Sequence, residues 1–171
     1  MKDCTKINLG GGRNKQPGYV NIDIIAYPEV DIVADVTKGI PLPDSSVEEI
    51  LALSIVEHLE DTVYIMEEMC RVSKSNAKII ITVPYVKSTA AFKDPTHKKF
   101  FTERTFEYFD KSLLNAGHLP DYQMKCDVRV QKITYKYYTP WFRHVPGINR
   151  FFARFFWDII KTLTFELRVV K

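Results

Sequence analysis

The sequence predicts an α/β fold: a doubly wound, mostly parallel sheet finished by an antiparallel C-terminal strand. Three observations lead there. An apolar strand runs into three glycines and then into a second strand that ends in an acid, all within KINLGGGRNKQPGYVNID (Lys6 to Asp23). A second acid, Asp35, recurs at the end of the next short strand; in an open parallel sheet such strand ends form the rim where ligands bind. Further on, Lys78 to Val83 is a nearly continuous β-branched run, as expected of a strand covered on both faces.

The elements follow in order. Strand one, Lys6 to Leu9, feeds the turn Gly10, Gly11, Gly12. Glycines without Cβ let backbone amides approach a ligand closely, and an acid at the end of the next strand can accept both hydroxyls of a ribose, an order that suits an adenosyl group. About ten residues separate strand one from strand two, fewer than the dozen or more of an ordinary parallel crossover. Residues 13–18 therefore hold one turn and no real helix. Strand two spans Tyr19 to Ile24, and strand three spans Val30 to Ala34. Residues 37–46, with two prolines and a glycine, are a loop. Strand four, Glu49 to Leu53, leads to a helix that Asp61 caps, with Ile65, Met66, Met69 and Val72 on one face. That helix stops near Ser73, and Asn76 takes a left-handed turn. Pro84 ends strand five. Thr102 is expected to cap a short helix over Glu103 to Phe109, and Gly117 to close another over Ser112 to Ala116. Asp127 to Lys136 and Thr164 to Val170 read as the last strands, an antiparallel pair.

Composition narrows the class. With 171 residues, 46% hydrophobic and 26% charged, the chain is one ordinary globular domain, 1–171, with 84–126 and 137–162 as insertions or a cap on the substrate side. Cys4, Cys70 and Cys126 lie far apart with no C-x-x-C, which argues for a reducing compartment and against a disulfide or a zinc site. The opening MKDCTKINL has no apolar run of signal length, and no stretch reaches 18 apolar residues, so a cytoplasmic location is expected. Charge is lopsided. Residues 1–97 carry 10 Lys and Arg against 14 Asp and Glu, whereas residues 98–171 carry 14 against 7. The basic part suits a phosphate, an anionic membrane surface or a nucleic acid, or is simply a solvated face.

Taken together, NLGGG (8–12), VNIDI (20–24), DIVADV (31–36), IPLPDSSVEEILALSIVEHLED (40–61) and MEEMCRVSKSNAKIIITVPY (66–85) resemble a small class I S-adenosylmethionine-dependent methyltransferase of the type-11-like group. The resemblance covers roughly residues 5–110. It implies a seven-stranded Rossmann-like sheet and S-adenosyl-L-methionine as cofactor. The binding set it implies is Asn8, Leu9, Gly10, Gly11, Gly12, Asp23, Ile24, Asp35, Val36, Ser54 and Glu57. Within it, Gly10 and Gly12 would line the methionine part, Asp23 would hold the ribose hydroxyls, Asp35 and Val36 would sit beside the adenine, and Ser54 would lie next to the methionine and the substrate. Relatives usually carry an acid where Asn8 stands, Cys or Ser at Gly11, and a longer first crossover.

Three groups are candidates for the chemistry. Glu57 and His58 follow strand four; related quinone-pathway methyltransferases hold a divalent metal there, but their further acid corresponds to Ser54, so no metal is expected. Asp94 and His97 stand in AspProThrHis (94–97), and His97 is the expected general base toward a hydroxyl. Tyr85 is a candidate pocket wall. Methyl transfer from a sulfonium asks mostly for alignment and exclusion of water, so one histidine near the methyl can suffice.

The expected function is methyl transfer to a small molecule or to a sugar of a glycan, including a lipid-linked one. The rivals are a degenerate binding or scaffold module, motivated by Asn8 and the short crossover, and a nucleic-acid methyltransferase, motivated by the basic tail; no nucleic-acid partner is expected. A nicotinamide dehydrogenase is disfavoured, because Lys15 stands where the third glycine of that fingerprint would be. Over 148–161, Arg150, Arg154, Asp158 and Lys161 form a narrow polar stripe opposite Phe152, Phe155, Phe156 and Ile159. The favoured reading is a helix packed on the sheet; a peripheral membrane contact and a homodimer interface are the other uses of that surface.

Overall fold

A computed structural model describes residues 5–139 and 146–171, without the side chains of 146–150. The chain lays down β1 (Lys6–Leu9), β2 (Val20–Asp23), β3 (Ile32–Val33), β4 (Val47–Leu53) and β5 (Ser73–Pro84). The last two strands are β6 (Val128–Tyr137) and β7 (Ile160–Val169). They form one sheet in the order β3-β2-β1-β4-β5-β7-β6. The first five strands are parallel, and β7 runs antiparallel to both β5 and β6. This is the mostly parallel seven-stranded sheet with antiparallel C-terminal strands that the sequence predicts. Chain order reverses at β1, which has β2 on one side and β4 on the other, so the crevice at their carboxyl ends is the natural ligand site.

Local chemistry explains the elements that frame this crevice. Helix α1 (Thr62–Val72) starts where Asp61 Oδ1 accepts the Tyr64 amide at 2.8 Å, a side-chain N-cap. Ile65, Met66, Met69 and Val72 are all buried, as their spacing predicts. Each such side chain contributes about 1.5–3 kcal/mol on burial. Asn76 then turns the chain at φ 61°. Arg71 fastens the 37–46 loop to the helix, donating from Nη2 to Ile40 O at 2.8 Å, from Nη1 to Leu42 O at 3.0 Å, and from Nε to Glu68 Oε1 at 2.7 Å.

The short first crossover holds turns and no helix. Polar side chains fill the space under it. Asn8 and Asn21 face each other in the β1–β2 register and are almost wholly buried. Asn8 Nδ2 donates to Asn21 Oδ1 (3.1 Å) and Asn14 O (3.2 Å), while Asn21 Nδ2 donates to Gly12 O (2.8 Å) and Glu29 O (3.1 Å). Buried amides are thus spent on satisfying the backbone of a loop that has no helical ladder of its own.

Several expectations are corrected. Cys70 and Cys126 form a disulfide with their Cα atoms 5.5 Å apart, joining α1 to the segment before β6; chain reversal brings together residues that sequence spacing kept apart. Cys4 lies outside the described residues. On β5, Ile79, Ile81 and Val83 are buried, but Lys78, Ile80 and Thr82 are only half-buried. Their face carries Lys78 Nζ 3.1 Å from Glu166 Oε2 and a Thr82–Thr164 hydroxyl contact of 2.9 Å, so it is not covered like its neighbour. Thr102 does not cap a helix over 103–109: its Oγ1 accepts the Arg104 amide at 3.3 Å, its own amide donates to Thr105 Oγ1, and a 3-10 turn begins only at Thr105. Helix α2 (Thr89–Phe92) and helix α3 (Lys111–Asn115) are short, and Asp110 caps the latter. Helix α4 (Pro146–Phe155) ends well before residue 161. Asp158 takes φ 58°, and its carboxylate accepts the Thr89 amide and hydroxyl at 2.5 Å each, which turns the chain into β7. The polar stripe therefore does not exist as one helical face, and the Arg150 side chain lies outside the described residues. Phe151, Phe152, Phe155 and Phe156 are exposed, and Ala153 is buried instead.

Candidate active site

The crevice beyond β1 and β4 is a cleft of about 280 Å³. Six expected residues line it: Gly10, Asp23, Ile24, Asp35, Val36 and Ser54. Its apolar walls are completed by Ile22, Ala34, Ile55 and Leu59, and His58 stands at its end. There the cleft meets a second depression of about 560 Å³ that shares Thr37, His58 and Leu59 and extends to Tyr64 and Lys98.

The glycine turn is shaped by contact. Gly10 has φ +61°, and a Cβ there would lie 2.2 Å from Ile55 Cδ1 and 2.9 Å from Ile55 Cβ. A Cβ on Gly11 would fall 2.0 Å from Asn21 Oδ1 and 2.1 Å from Asn8 Nδ2. Gly12 donates its amide to Asp23 Oδ2 at 2.8 Å, and Asp23 Oδ1 accepts the Ile25 amide at 2.9 Å. A carboxylate has about four acceptor sites, so Asp23 keeps capacity for two hydroxyls. Asp35 is organised as an Asx turn, its Oδ1 accepting the Thr37 amide (3.1 Å) and hydroxyl (2.6 Å). Those bonds hold its carboxyl below the usual carboxylate range.

An adenosyl cofactor fits this cleft. It offers a ribose-sized acceptor in Asp23, apolar walls for a flat base, and a turn where any side chain on Gly10 would collide. The other expected contacts are placed elsewhere. Asn8 and Gly11 brace the turn from beneath, Leu9 is buried in the core, Gly12 holds Asp23, and Glu57 is buried behind His58. Ile55 and Thr37 are cleft residues the sequence reading did not single out. Thr37 carried a signal, since it follows Asp35 at Asx-turn spacing.

Behind His58 the structure gathers the candidate chemical groups. The rings of His58 and His97 meet edge to face, centroids 4.7 Å apart. His97 does not line the cleft as expected; His58 does. His97 Nδ1 is 2.9 Å from Ala91 O. A carbonyl only accepts, so Nδ1 carries the proton and Nε2 presents a lone pair. Thr96 Oγ1 gives its hydrogen to Asp94 Oδ1 at 2.7 Å and can only accept from His58 Nδ1, 2.9 Å away. His58 Nε2 is therefore also a lone pair. Asp94 contributes through this chain of bonds, and the Thr96 hydroxyl and amide hold its carboxyl below its usual range. Burial, and next the neighbouring His97, hold His58 below the ordinary imidazole range. Glu57 is 1% exposed, its Oε2 has no hydrogen-bond partner among the described residues, and burial pushes its carboxyl up. Tyr85 is buried beside Phe101 in the core, away from the cleft-lining set.

Comparison with known proteins agrees with this geometry. Residues 12–81 match the family described as "Methyltransferase domain". The chain is 26% identical over 92 residues to a "Probable S-adenosylmethionine-dependent methyltransferase" of Mycobacterium tuberculosis, covering 53% of this chain and 34% of the relative. The match thus spans about a third of that relative's length. Among solved structures, a SAM-dependent methyltransferase from Archaeoglobus fulgidus superposes with TM-score 0.64 at 18% identity, over 98% of this chain and 87% of that one. One from Mesorhizobium loti gives 0.60 at 11% identity, over 98% and 93%. At these identities the superpositions speak for the fold. Strand order, cleft and the match over residues 12–81 point the same way: the chain has the fold of S-adenosylmethionine-dependent methyltransferases and resembles their methyltransferase domain, with a cleft that fits S-adenosylmethionine.

Proposed function

We propose that the protein transfers the methyl group of S-adenosylmethionine to a hydroxyl of a small molecule or of a lipid-linked glycan. The observation that carries this reading is the placement of a lone-pair imidazole, His58, at the end of the adenosyl cleft, with a second depression beyond it for an acceptor. When bound, the cofactor supplies a methyl group already activated on a sulfonium. Asp23 holds the ribose hydroxyls, and Ile22, Ile24, Val36 and Leu59 exclude water. His58 Nε2 takes the acceptor's proton, while Thr96 and Asp94 fix its tautomer. A proton acceptor of this kind is worth about 10²–10⁴ in rate.

The lipid-linked form is favoured by an aromatic surface beside the acceptor side. Phe92 belongs to α2, the same short helix whose Ala91 carbonyl orients His97. Its ring stacks on Phe100 (4.6 Å) and lies 5.6 Å from Trp157. Phe151, Phe152, Phe155 and Phe156 add to the exposed aromatic surface nearby in sequence, in the half of the chain with excess positive charge. Exposed apolar area flanked by cations suits an anionic lipid surface.

The test is transfer of labelled methyl from S-adenosylmethionine to a panel of free and lipid-linked glycans and small alcohols. Label in product from the wild type, and its near loss in His58→Ala, is the expected result; no transfer to any hydroxyl, with label appearing on amines, would refute the assignment. A second reading, a cofactor-binding module without turnover, is favoured by Asn8, which is turned into the loop and leaves no charge on β1 for the methionine end. It predicts S-adenosylhomocysteine binding with no transfer.

A further inference from the structure

We propose that an apolar groove beside the first turn of α1 receives the hydrocarbon chain of the acceptor, which is thereby a single-chain lipid phosphate carrying a sugar; the inference rests on the methyl-transfer reading above. The groove holds about 570 Å³. Its walls are Val63 of α1, Phe100 and Phe101 after the His97 loop, Tyr108 of the following 3-10 turn, and Tyr122 and Met124 before β6. The floor is rigid: buried Phe101 and Phe109 flank Phe106, with ring centroids 5.8 and 6.3 Å from it, and Phe106 meets Phe165 of β7 edge to face at 4.8 Å. The Met124 wall is tied to α1, because Glu67 Oε1 accepts the Lys125 amide at 2.8 Å and Cys70 is bonded to Cys126. A concave, apolar and preformed hollow of this kind is how ligand sites are built.

Two continuities identify the occupant. The first is with the acceptor site. Asp61, Tyr64 and Lys98 line the depression beyond His58, whereas Thr62, Val63 and Lys99 line the groove. Neighbouring residues of the same two segments therefore face the two hollows, which lie across one helical turn from each other, about 10 Å apart. Glu57 O fixes that ridge, accepting the amides of Lys98 (2.8 Å) and Lys99 (3.2 Å). The second continuity is with the exposed aromatic surface. Phe100 lines the groove and also stacks on Phe92 at 4.6 Å, and Phe92 lies 5.6 Å from Trp157. One amphiphile can thus reach from a lipid surface along the groove to His58.

The chemistry of the walls selects a hydrocarbon. Against Val63, Phe100, Phe101 and Met124 a sugar would leave hydroxyls without partners, which costs free energy, whereas methylene groups gain by leaving water. Val63, Phe100 and Tyr122 are 41, 47 and 64% exposed, so the rim offers apolar area for a ligand to cover. Charge selects the link between chain and sugar. Glu60 already holds Lys98 at 2.8 Å, and the neighbouring Lys99 is the one charged residue lining the groove. A phosphate at that ridge meets its ammonium. Because the two hollows adjoin, the methylated hydroxyl belongs to a sugar close to the phosphate and not to the far end of a long glycan.

The experiment titrates hexyl, octyl and decyl phosphate into the full-length protein by calorimetry, below their micelle concentrations, with maltotriose as a sugar probe. One molecule per chain is expected, tightening by about three- to fourfold for each added methylene. Val63→Asp, an acid in the first turn of a helix where it is tolerated, and Tyr122→Ser should each flatten that dependence on chain length, while Val170→Asp should leave it unchanged. Lys99→Gln should weaken decyl phosphate by about two- to fivefold and leave decyl glucoside alone. Equal affinity for hexyl and decyl phosphate, an unchanged slope in folded Val63→Asp and Tyr122→Ser, or maltotriose bound as tightly as decyl phosphate would overturn the assignment. So would self-association that Tyr122→Ser abolishes in a wild type that binds no amphiphile, because a second copy would then be the occupant. Labelled methyl transfer to butyl and decyl glucosides separates the two readings. Chain-length-dependent binding without transfer would support the groove and count against methyl transfer; transfer to both glucosides with the same KM would sink the groove alone.

Discussion

Replacing Gly10 by alanine tests how the turn spaces the cleft. At φ +61° an L-residue is strained by about 1–2 kcal/mol. Its Cβ would also lie 2.2, 2.8 and 2.9 Å from three atoms of Ile55, including Ile55 Cβ, which no rotamer change removes. Overpacking of this kind costs about 1–3 kcal/mol. The two effects together predict a loss of about 2–5 kcal/mol, and for a chain of this size each kcal/mol moves Tm by about 2–4 °C. Gly18 provides the control: its φ is +81° and nothing lies within 4 Å of an added Cβ, so Gly18→Ala pays only the backbone term. Urea denaturation should therefore show Gly10→Ala well below Gly18→Ala, and adding Ile55→Ala should recover part of the difference. Ile55 also lines the cleft, so calorimetry with S-adenosylhomocysteine should show weaker binding for Gly10→Ala. Equal stabilities for the two alanine variants would refute the idea that the Gly10–Ile55 contact sets the cleft's width.

Other expectations concern stability and surface. Reducing the Cys70–Cys126 bond, or Cys126→Ser, opens a link between residues 56 apart; the loss should be about 2–4 kcal/mol, read as a lower urea midpoint with and without reductant. Glu68 is held below the usual carboxylate range by its hydrogen bonds to Arg71. A depressed folded value means this contribution is fully present above the ordinary glutamate range and is lost as pH falls through the lowered one; Glu68→Gln should flatten the acid limb of stability against pH, and an unchanged limb would contradict the assignment. Vesicles with anionic lipid should shift tryptophan emission to the blue for wild type and much less for Trp157→Ala combined with Phe155→Ala; neutral vesicles should do little at raised salt.

The parallel half of the fold was legible because its signals are local. A buried run, three glycines and acids at strand ends specify β1 to β4 and their rim, and Asp61 and the Ile65–Val72 spacing mark α1, whereas Asn76 makes its left-handed turn inside β5. What escaped depends on residues far apart in sequence. α4 stops at Phe155 because Asp158 binds Thr89, 69 residues away. The disulfide is made by a return of the chain, and the pairing of His58 with His97 requires the loop after β5 to fold back over the turn after β4. Asn8 looked like a ligand contact because of its place beside the glycines. Its register partner, Asn21, shows that a missing crossover helix leaves backbone to be satisfied, and that need claims the side chain.

The most direct measurement is calorimetric titration of S-adenosylhomocysteine into wild type, Asp23→Asn and Asp23→Ala. Asparagine keeps one acceptor oxygen for the backbone amides of the turn but removes the charge-assisted bonds to ribose, which are worth more than neutral ones. The account predicts saturable binding to wild type at one site per chain, about tenfold or more weaker in Asp23→Asn and weaker still in Asp23→Ala. No heat with folded wild type at millimolar ligand, or equal affinity in all three proteins, would contradict it.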